Sequence, residues 1–204
     1  MKSKFTVAVW SGNGIGGTTK AAVLFAVELA RRGHRLLFLG PSGPRDQDLA
    51  QGNVPRINPP ADAKALAEFL KTERVDVVHQ HITNHAHANP VFAALRLLGD
   101  ERPRLIETDV FGHAEDSESE KWIDFHCFVS RACAIQTFRR NGRALNDVAL
   151  SKSTVLFNPL APLDPTTQAK SRRQEIREEL GVQDRKSTRL NSSHPLKSRM
   201  PSSA

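Results

Sequence analysis

Read from its N-terminus, the chain alternates short apolar, β-branched runs with longer stretches of helical period. Phe5 to Trp10 is the first run, and the period changes to helical over Thr18 to Arg32, ending at Gly33. The same alternation predicts strands at Arg35 to Leu39, Val75 to His79, Arg104 to Thr108, Phe125 to Ser130 and Thr154 to Phe157. Helices are expected at Ala61 to Thr72, Pro90 to Leu98, Arg131 to Asn141 and Arg172 to Leu180. Strands that are apolar throughout rather than alternating belong in a sheet covered on both faces. The expected fold is therefore α/β, a Rossmann-like doubly wound parallel sheet. The Pro/Gly-rich stretch from Gly40 to about Pro60 reads as a long irregular loop.

The glycine pattern sets the first chemical question. Gly12, Gly14 and Gly17 form G-x-G-x-x-G between the first strand and first helix, with Gly16 beside them. There, backbone N–H groups and the helix dipole can meet a phosphate. The same glycines equally serve a chain that needs only a tight turn and close helix packing. A P-loop is disfavoured, because Gly17 stands where a lysine must precede Thr18, Lys20 comes one turn too late, and no aspartate follows the second strand to manage magnesium. A dinucleotide site would want an acid where the second strand ends, and the sequence there is Leu39-Gly40-Pro41-Ser42. Ser42 and Arg45 leave open a 2′-phosphate, hence an NADP-type oxidoreductase.

Composition changes the picture little. The 204 residues suffice for one domain of ordinary size or slightly more, and the formal charge is +7. Of that charge, +4 lies between Asp184 and Ala204, and removing it from +7 leaves +3, which points to no nucleic-acid partner. Cys127 and Cys133 are expected as reduced core thiols. No apolar segment reaches the roughly 20 residues of a bilayer span, and no leader is expected, so the sequence reading is cytoplasmic. Asp184 to His194, DRKSTRLNSSH, reads as the in-frame translation of a common sequencing-library adapter, and SRMPSSA as its far end. The expected organisation is thus a domain over 1–183, truncated at its end, with a non-native tail over 184–204.

Four segments in order carry a resemblance. They are Gly16-Gly17 followed by an apolar helix and ARRGHRLLFL (Ala30 to Leu39), VDVVHQH (Val75 to His81), STVLFNPLAPLDP (Ser153 to Pro165) with Asn158, and RRQEIREELGV (Arg172 to Val182). Together they resemble the N-terminal, acceptor-side half of family-four glycosyltransferases of the two-domain GT-B fold. The resemblance implies retaining, metal-independent transfer from a nucleotide-sugar donor to a carbohydrate or lipid-linked acceptor. It implies no cofactor beyond that donor, and a missing C-terminal domain of the same chain that binds most of the donor and without which this piece is inactive. Gly14, Gly16, Gly17 and Thr18 would face the donor phosphates. The family's histidine after the fourth strand has no direct counterpart. Asp109 takes its place in IETDVFGHAED and His113 lies four residues on, so these two are the candidate catalytic residues, and Glu107 is a further candidate for acceptor hydroxyls. A non-catalytic carbohydrate-binding module is a third reading.

Alternation puts His79 and His81 on one strand face, with His85 and His87 beyond. No cysteine lies near them and loop spacing is unconstrained, so no metal site is expected. Trp122, Phe125 and Phe128 read as core. Arg139, Arg140 and Arg143 suit a helix C-terminus, a peripheral contact with membrane lipid being the sharper alternative.

Overall fold

The structure, a computed structural model, describes residues 4–82, 90–110, 121–140, 151–159 and 177–179. The chain divides into two compact units, Met1–Ala161 and Pro162–Ala204. Within the second, 177–179 are helical.

The first unit is built on a seven-stranded sheet: β1 (Thr6–Trp10), β2 (Arg35–Leu39), β3 (Arg56–Ile57), β4 (Val77–Ile82), β5 (Arg104–Asp109), β6 (Phe125–Phe128) and β7 (Ser153–Val155). Every pairing is parallel and the spatial order is β3-β2-β1-β4-β5-β6-β7. The expected doubly wound parallel sheet is therefore what the chain forms. The order reverses between β1 and β4, and in such sheets the crevice at the strands' carboxyl ends at that reversal is where ligands bind.

Among the described residues five α-helices accompany the strands: α1 (Gly17–Arg31), α2 (Asp46–Gln51), α3 (Ala63–Thr72), α4 (Pro90–Leu98) and α5 (Arg131–Arg140). Helix α1 buries Ala22, Val23 and Ala26 against Val7, Val9, Leu36 and Phe38, and its small side chains let it lie close to the strands. Arg32 closes it, followed by Gly33 at φ +89°, a left-handed conformation natural to glycine. On the opposite face, α3 and α4 cover Ala8, Leu37, Leu39, Val78 and Leu105 with Leu66, Leu70, Val91 and Leu95. The Asp62 side chain caps α3 by accepting from the Ala65 N–H at 2.8 Å.

The structure corrects the sequence reading in three places. The stretch from Gly40 to Pro60 is not an irregular loop, since it holds α2 and the two-residue strand β3. Val75 precedes the third predicted strand, which starts at Val77 and runs on to Ile82. Asp76 sits at that strand's amino end, where its carboxylate accepts from the Thr6 N–H at 2.7 Å. The last strand comes earlier than predicted, as Ser153–Val155.

Asp124 ties the amino ends of β5 and β6 together. It receives two hydrogen bonds from Arg102, at 2.6 and 3.0 Å, one from Arg104 at 3.1 Å and one from the Leu105 N–H at 2.8 Å. Arg96 and Arg102 both lie over the Trp122 ring, so Trp122 is at once core and a platform for guanidinium groups. Burial pushes the Asp124 carboxyl up, but these donors outweigh it and hold it below the usual range. Asp124→Ala is expected to cost about 2 kcal/mol, a half-buried charged pair losing its acceptor. Chemical denaturation of the two proteins checks this, and equal midpoints would refute the role.

Candidate functional site

The loop from β1 to α1, Ser11 to Gly16, lies at the carboxyl edge of the sheet, beside the strand-order reversal. Helix geometry leaves the N–H groups of Gly17, Thr18 and Thr19 without partners inside α1, the first helical bond here running from the Lys20 N–H to the Gly16 carbonyl at 3.0 Å. Gly16 has no side chain to cap them, and the first turn carries no acid. Thr18 itself is buried, 8% exposed, so what it can offer at the loop is its N–H, which has no partner inside the helix.

What the glycines are for can be tested by placing a Cβ on each. At Gly14, Gly16 and Gly17 such an atom would meet nothing within 4 Å, and none of the three has a positive φ. Gly16 lies at φ −63°, ψ 161°, open to any residue. Neither turn geometry nor helix packing demands glycine at these positions. Bare backbone is useful there if something else must come close.

The opposite holds on the β2 side of the loop. A Cβ on Gly40 would come 2.6 Å from the Ser11 carbonyl oxygen, and one on Gly43 would come 2.0 Å from that of Asn13. These two glycines let the β2–α2 segment lie against the glycine loop. Asn13, only 5% exposed, straps the two together. Its amide donates to the Pro41 carbonyl at 2.9 Å and to Asp46 at 2.6 Å, and its Oδ1 accepts from the Arg45 N–H at 3.1 Å. Asp46 also accepts from the Ser42 hydroxyl at 2.8 Å and from the Gly43 N–H at 3.3 Å, and pairs with Arg56 at 3.3 Å. The Ser42 hydroxyl, with the Gly43 amide, Asn13 and Arg56, holds the Asp46 carboxyl below its ordinary range against the upward pull of burial. Neither Asn13 nor Asp46 stands out in the sequence, being polar residues 33 apart in glycine-rich stretches.

The other candidates divide between the two faces of the sheet. Asp109 ends β5, is buried, and its carbonyl accepts from the Cys133 thiol at 3.4 Å. His113 lies outside the described residues, as do His85 and His87, so no relation between His113 and Asp109 is drawn. Glu107 is 1% exposed and takes a hydrogen bond from the Gln80 amide, with His126 at 3.9 Å. It stands inside the sheet rather than on the crevice surface. His79 and His81 share a face, as alternation requires, with ring centroids 4.2 Å apart and both near Phe25 of α1. The His79 Nε2 lies 2.8 Å from the Thr108 hydroxyl, whereas both ring nitrogens of His81 are buried without a partner. Burial holds His79 down at about 4, and burial plus the neighbouring His79 holds His81 well below its ordinary value. Cys127 and Cys133 are free and buried. Burial pushes the Cys127 thiol up to about 11 despite a hydrogen bond with Thr108, so it is inert near neutral pH.

The fold recurs in solved structures. The chain is similar to a glycosyltransferase from Rickettsia africae ESF-5, with TM-score 0.66 and 16% identity over 89% of this chain and 50% of that one. It is also similar to Anabaena Alr3699/HepE, a structure containing UDP and glucose, with TM-score 0.56 and 16% identity over 87% of this chain and 50% of that one. MurG of Acinetobacter baumannii gives TM-score 0.52 and 17% identity over 78% and 47%. The fold is a Rossmann-like lobe of the GT-B type. The lobe spans about half the length of these proteins, and at such identities the likeness is one of fold. No protein-family model matches the chain, and no curated protein sequence does. Among the described residues of the lobe, no helix is long and apolar enough to cross a membrane, and no group of three His, Cys, Asp or Glu residues is placed to hold a metal ion.

Proposed function

We propose that the chain is the acceptor-side lobe of a nucleotide-sugar glycosyltransferase of the family-four kind, with the edge formed by Gly14, Gly16, Gly17 and the Thr18 N–H meeting the donor diphosphate. The observation that carries this is the empty space around those three glycines ahead of an uncapped helix at the sheet's reversal point. A leaving diphosphate gains negative charge as the glycosidic bond breaks, and unpartnered helix N–H groups can stabilise it without a metal. In this reading transfer is retaining and needs a second lobe that holds most of the sugar nucleotide, so the chain alone offers the donor diphosphate only its glycine edge and does not turn it over. Asp109, at the carboxyl end of β5, and His113 remain the candidates for the reacting sugar and the acceptor.

The dinucleotide reading loses its own groups. Ser42 donates to Asp46, Arg45 pairs with Asp48 at 3.1 Å, and the Asp46 carboxylate beside them repels a 2′-phosphate. That carboxylate is itself engaged by Asn13, Ser42, Gly43 and Arg56, which leaves it poorly placed to clasp a ribose.

Titration calorimetry with UDP-glucose, ATP and NADPH separates these readings. Heat with UDP-glucose alone is expected, weak because most of the donor site belongs to the second lobe, and tight ATP or NADPH binding would overturn the assignment. Gly17→Ala should raise stability by about 0.4–1 kcal/mol, because the position is helical and sterically open. Gly16→Val should leave the melting temperature unchanged. Both should weaken donor binding by roughly tenfold or more, since each puts carbon where the phosphate must approach.

A further inference from the structure

His81 is a buried polar side chain that the described fold leaves unsatisfied. It is 4% exposed, and neither Nδ1 nor Nε2 has a hydrogen-bond partner. Its neighbour on the same face, His79, is provided for by the Thr108 hydroxyl at 2.8 Å. Thr108 also engages the Cys127 thiol, so it has little left to offer His81. A leucine would fill the same space with no unmet demand, and an unmet demand of this kind in a core calls for a reason.

Its place in the sheet suggests one. His81 follows Gln80, the residue paired with Trp10, so alternation sets it beside Ser11 on the α1 face, at the reversal between β1 and β4. Across that edge the ladder runs His81, Thr108, Cys127, Thr154. With Ser11 this row is polar but for the Cys127 thiol, where the row beneath is Val9, His79, Ile106 and Phe125. Polar side chains thus collect at the carboxyl edge that carries the glycine loop.

We propose that His81 is a binding residue whose imidazole hydrogen-bonds a hydroxyl group of the sugar brought into this crevice. A neutral imidazole offers one donor and one acceptor, and a hydroxyl offers the complement of both. A phosphate oxygen can only accept and an ammonium can only donate, so neither satisfies the ring. Burial keeps the ring uncharged near neutral pH, which fits a hydroxyl rather than an anion. The inference rests on the glycosyltransferase reading above and adds the part of the ligand that His81 would hold.

The test is a side-chain and amide NMR titration of the chain with UDP-glucose, and in parallel with UDP. UDP-glucose is expected to shift the His81 ring nitrogens together with the amides of Gly16 and Gly17, and UDP to shift the amides only. His81→Leu should raise the melting temperature, weaken UDP-glucose binding about tenfold and leave UDP binding unchanged, and His81→Gln should recover part of the loss. A His81→Leu protein that melts lower and binds UDP-glucose as the parent does would make His81 purely structural and overturn the proposal. Loop amides that move with UDP-glucose while His81 stays still would overturn it alone. Loop amides silent to both ligands would overturn the glycosyltransferase reading as well.

Discussion

Gly43→Ala is expected to destabilise the domain by about 3 kcal/mol or more, although it adds a single methyl group to a segment near the surface. The added carbon would stand 2.0 Å from the Asn13 carbonyl oxygen and 2.9 Å from the Asn13 Cγ. A flexible side chain could swing away, but a backbone carbonyl cannot move without taking the glycine loop with it. Overpacking of this kind costs about 1–3 kcal/mol. The displacement also breaks the strap, because Asn13 holds Pro41, Asp46 and the Arg45 N–H through one buried side chain. Each buried polar group left without its partner adds about 1–3 kcal/mol. For a unit of this size the sum corresponds to a fall of roughly 10 °C in melting temperature. Gly14→Ala is the control, because its Cβ meets nothing within 4 Å and the protein should melt as the parent does. If differential scanning calorimetry gives the two variants the same midpoint, the packing of the two loops has been misjudged. Because the strap holds the glycine loop in place, Gly43→Ala should also lose donor binding, whereas Gly17→Ala loses binding while gaining stability. The two glycines therefore separate fold from function by the sign of the stability change.

That division was only half legible in the sequence. The glycine loop could be found because it falls where an apolar run changes period, but G-x-G-x-x-G does not say which glycines the chain itself requires. The answer came from Gly40 and Gly43, which sit in what reads as featureless loop. Helix α2 was hidden for a related reason: its six residues hold one buried apolar side chain, Leu49, too few to show a helical period. Strand β3 consists of Arg56 and Ile57, and the two bonds from the Phe38 and Gly40 N–H groups to the Pro55 and Ile57 carbonyls define it better than any propensity. The longer strands were readable in position because they are apolar runs. Their ends were less so: β4 continues through Gln80, His81 and Ile82 because β5 offers Glu107, Thr108 and Asp109 as partners, which is a property of the pair. Alternation correctly put His79 and His81 on one face. Which of the two would be satisfied depended on Thr108, 29 residues from His79, and no local pattern carries that.

Those two histidines make the protein acid-sensitive in a window set by their own chemistry. His79 is held down at about 4 by burial, and His81 is shifted further in the same direction by burial and by His79. Between pH 6.5 and 4 the unfolded chain binds protons at both positions and the folded chain does not, so folding stability falls as pH falls. For His79 alone the slope is about 1.4 kcal/mol per pH unit, which over this window amounts to about 3 kcal/mol, and His81 steepens it. The aspartates act elsewhere. The Asp124 and Asp46 carboxyls lie below their ordinary range, so their contribution is present above about pH 3.8 and is lost only below it. Melting temperature is thus expected to be level above about pH 7, to drop steeply from pH 6.5 towards 4, and to drop again below 3.8. Replacing both histidines, H79L together with H81L, should flatten the first drop and leave the second in place. A double variant that keeps the full loss between pH 6.5 and 4 would show that other groups carry it. Such a result would also remove the argument that these rings are held uncharged, and with it one of the two reasons to match His81 to a hydroxyl rather than to an anion, the other being its unpartnered donor and acceptor.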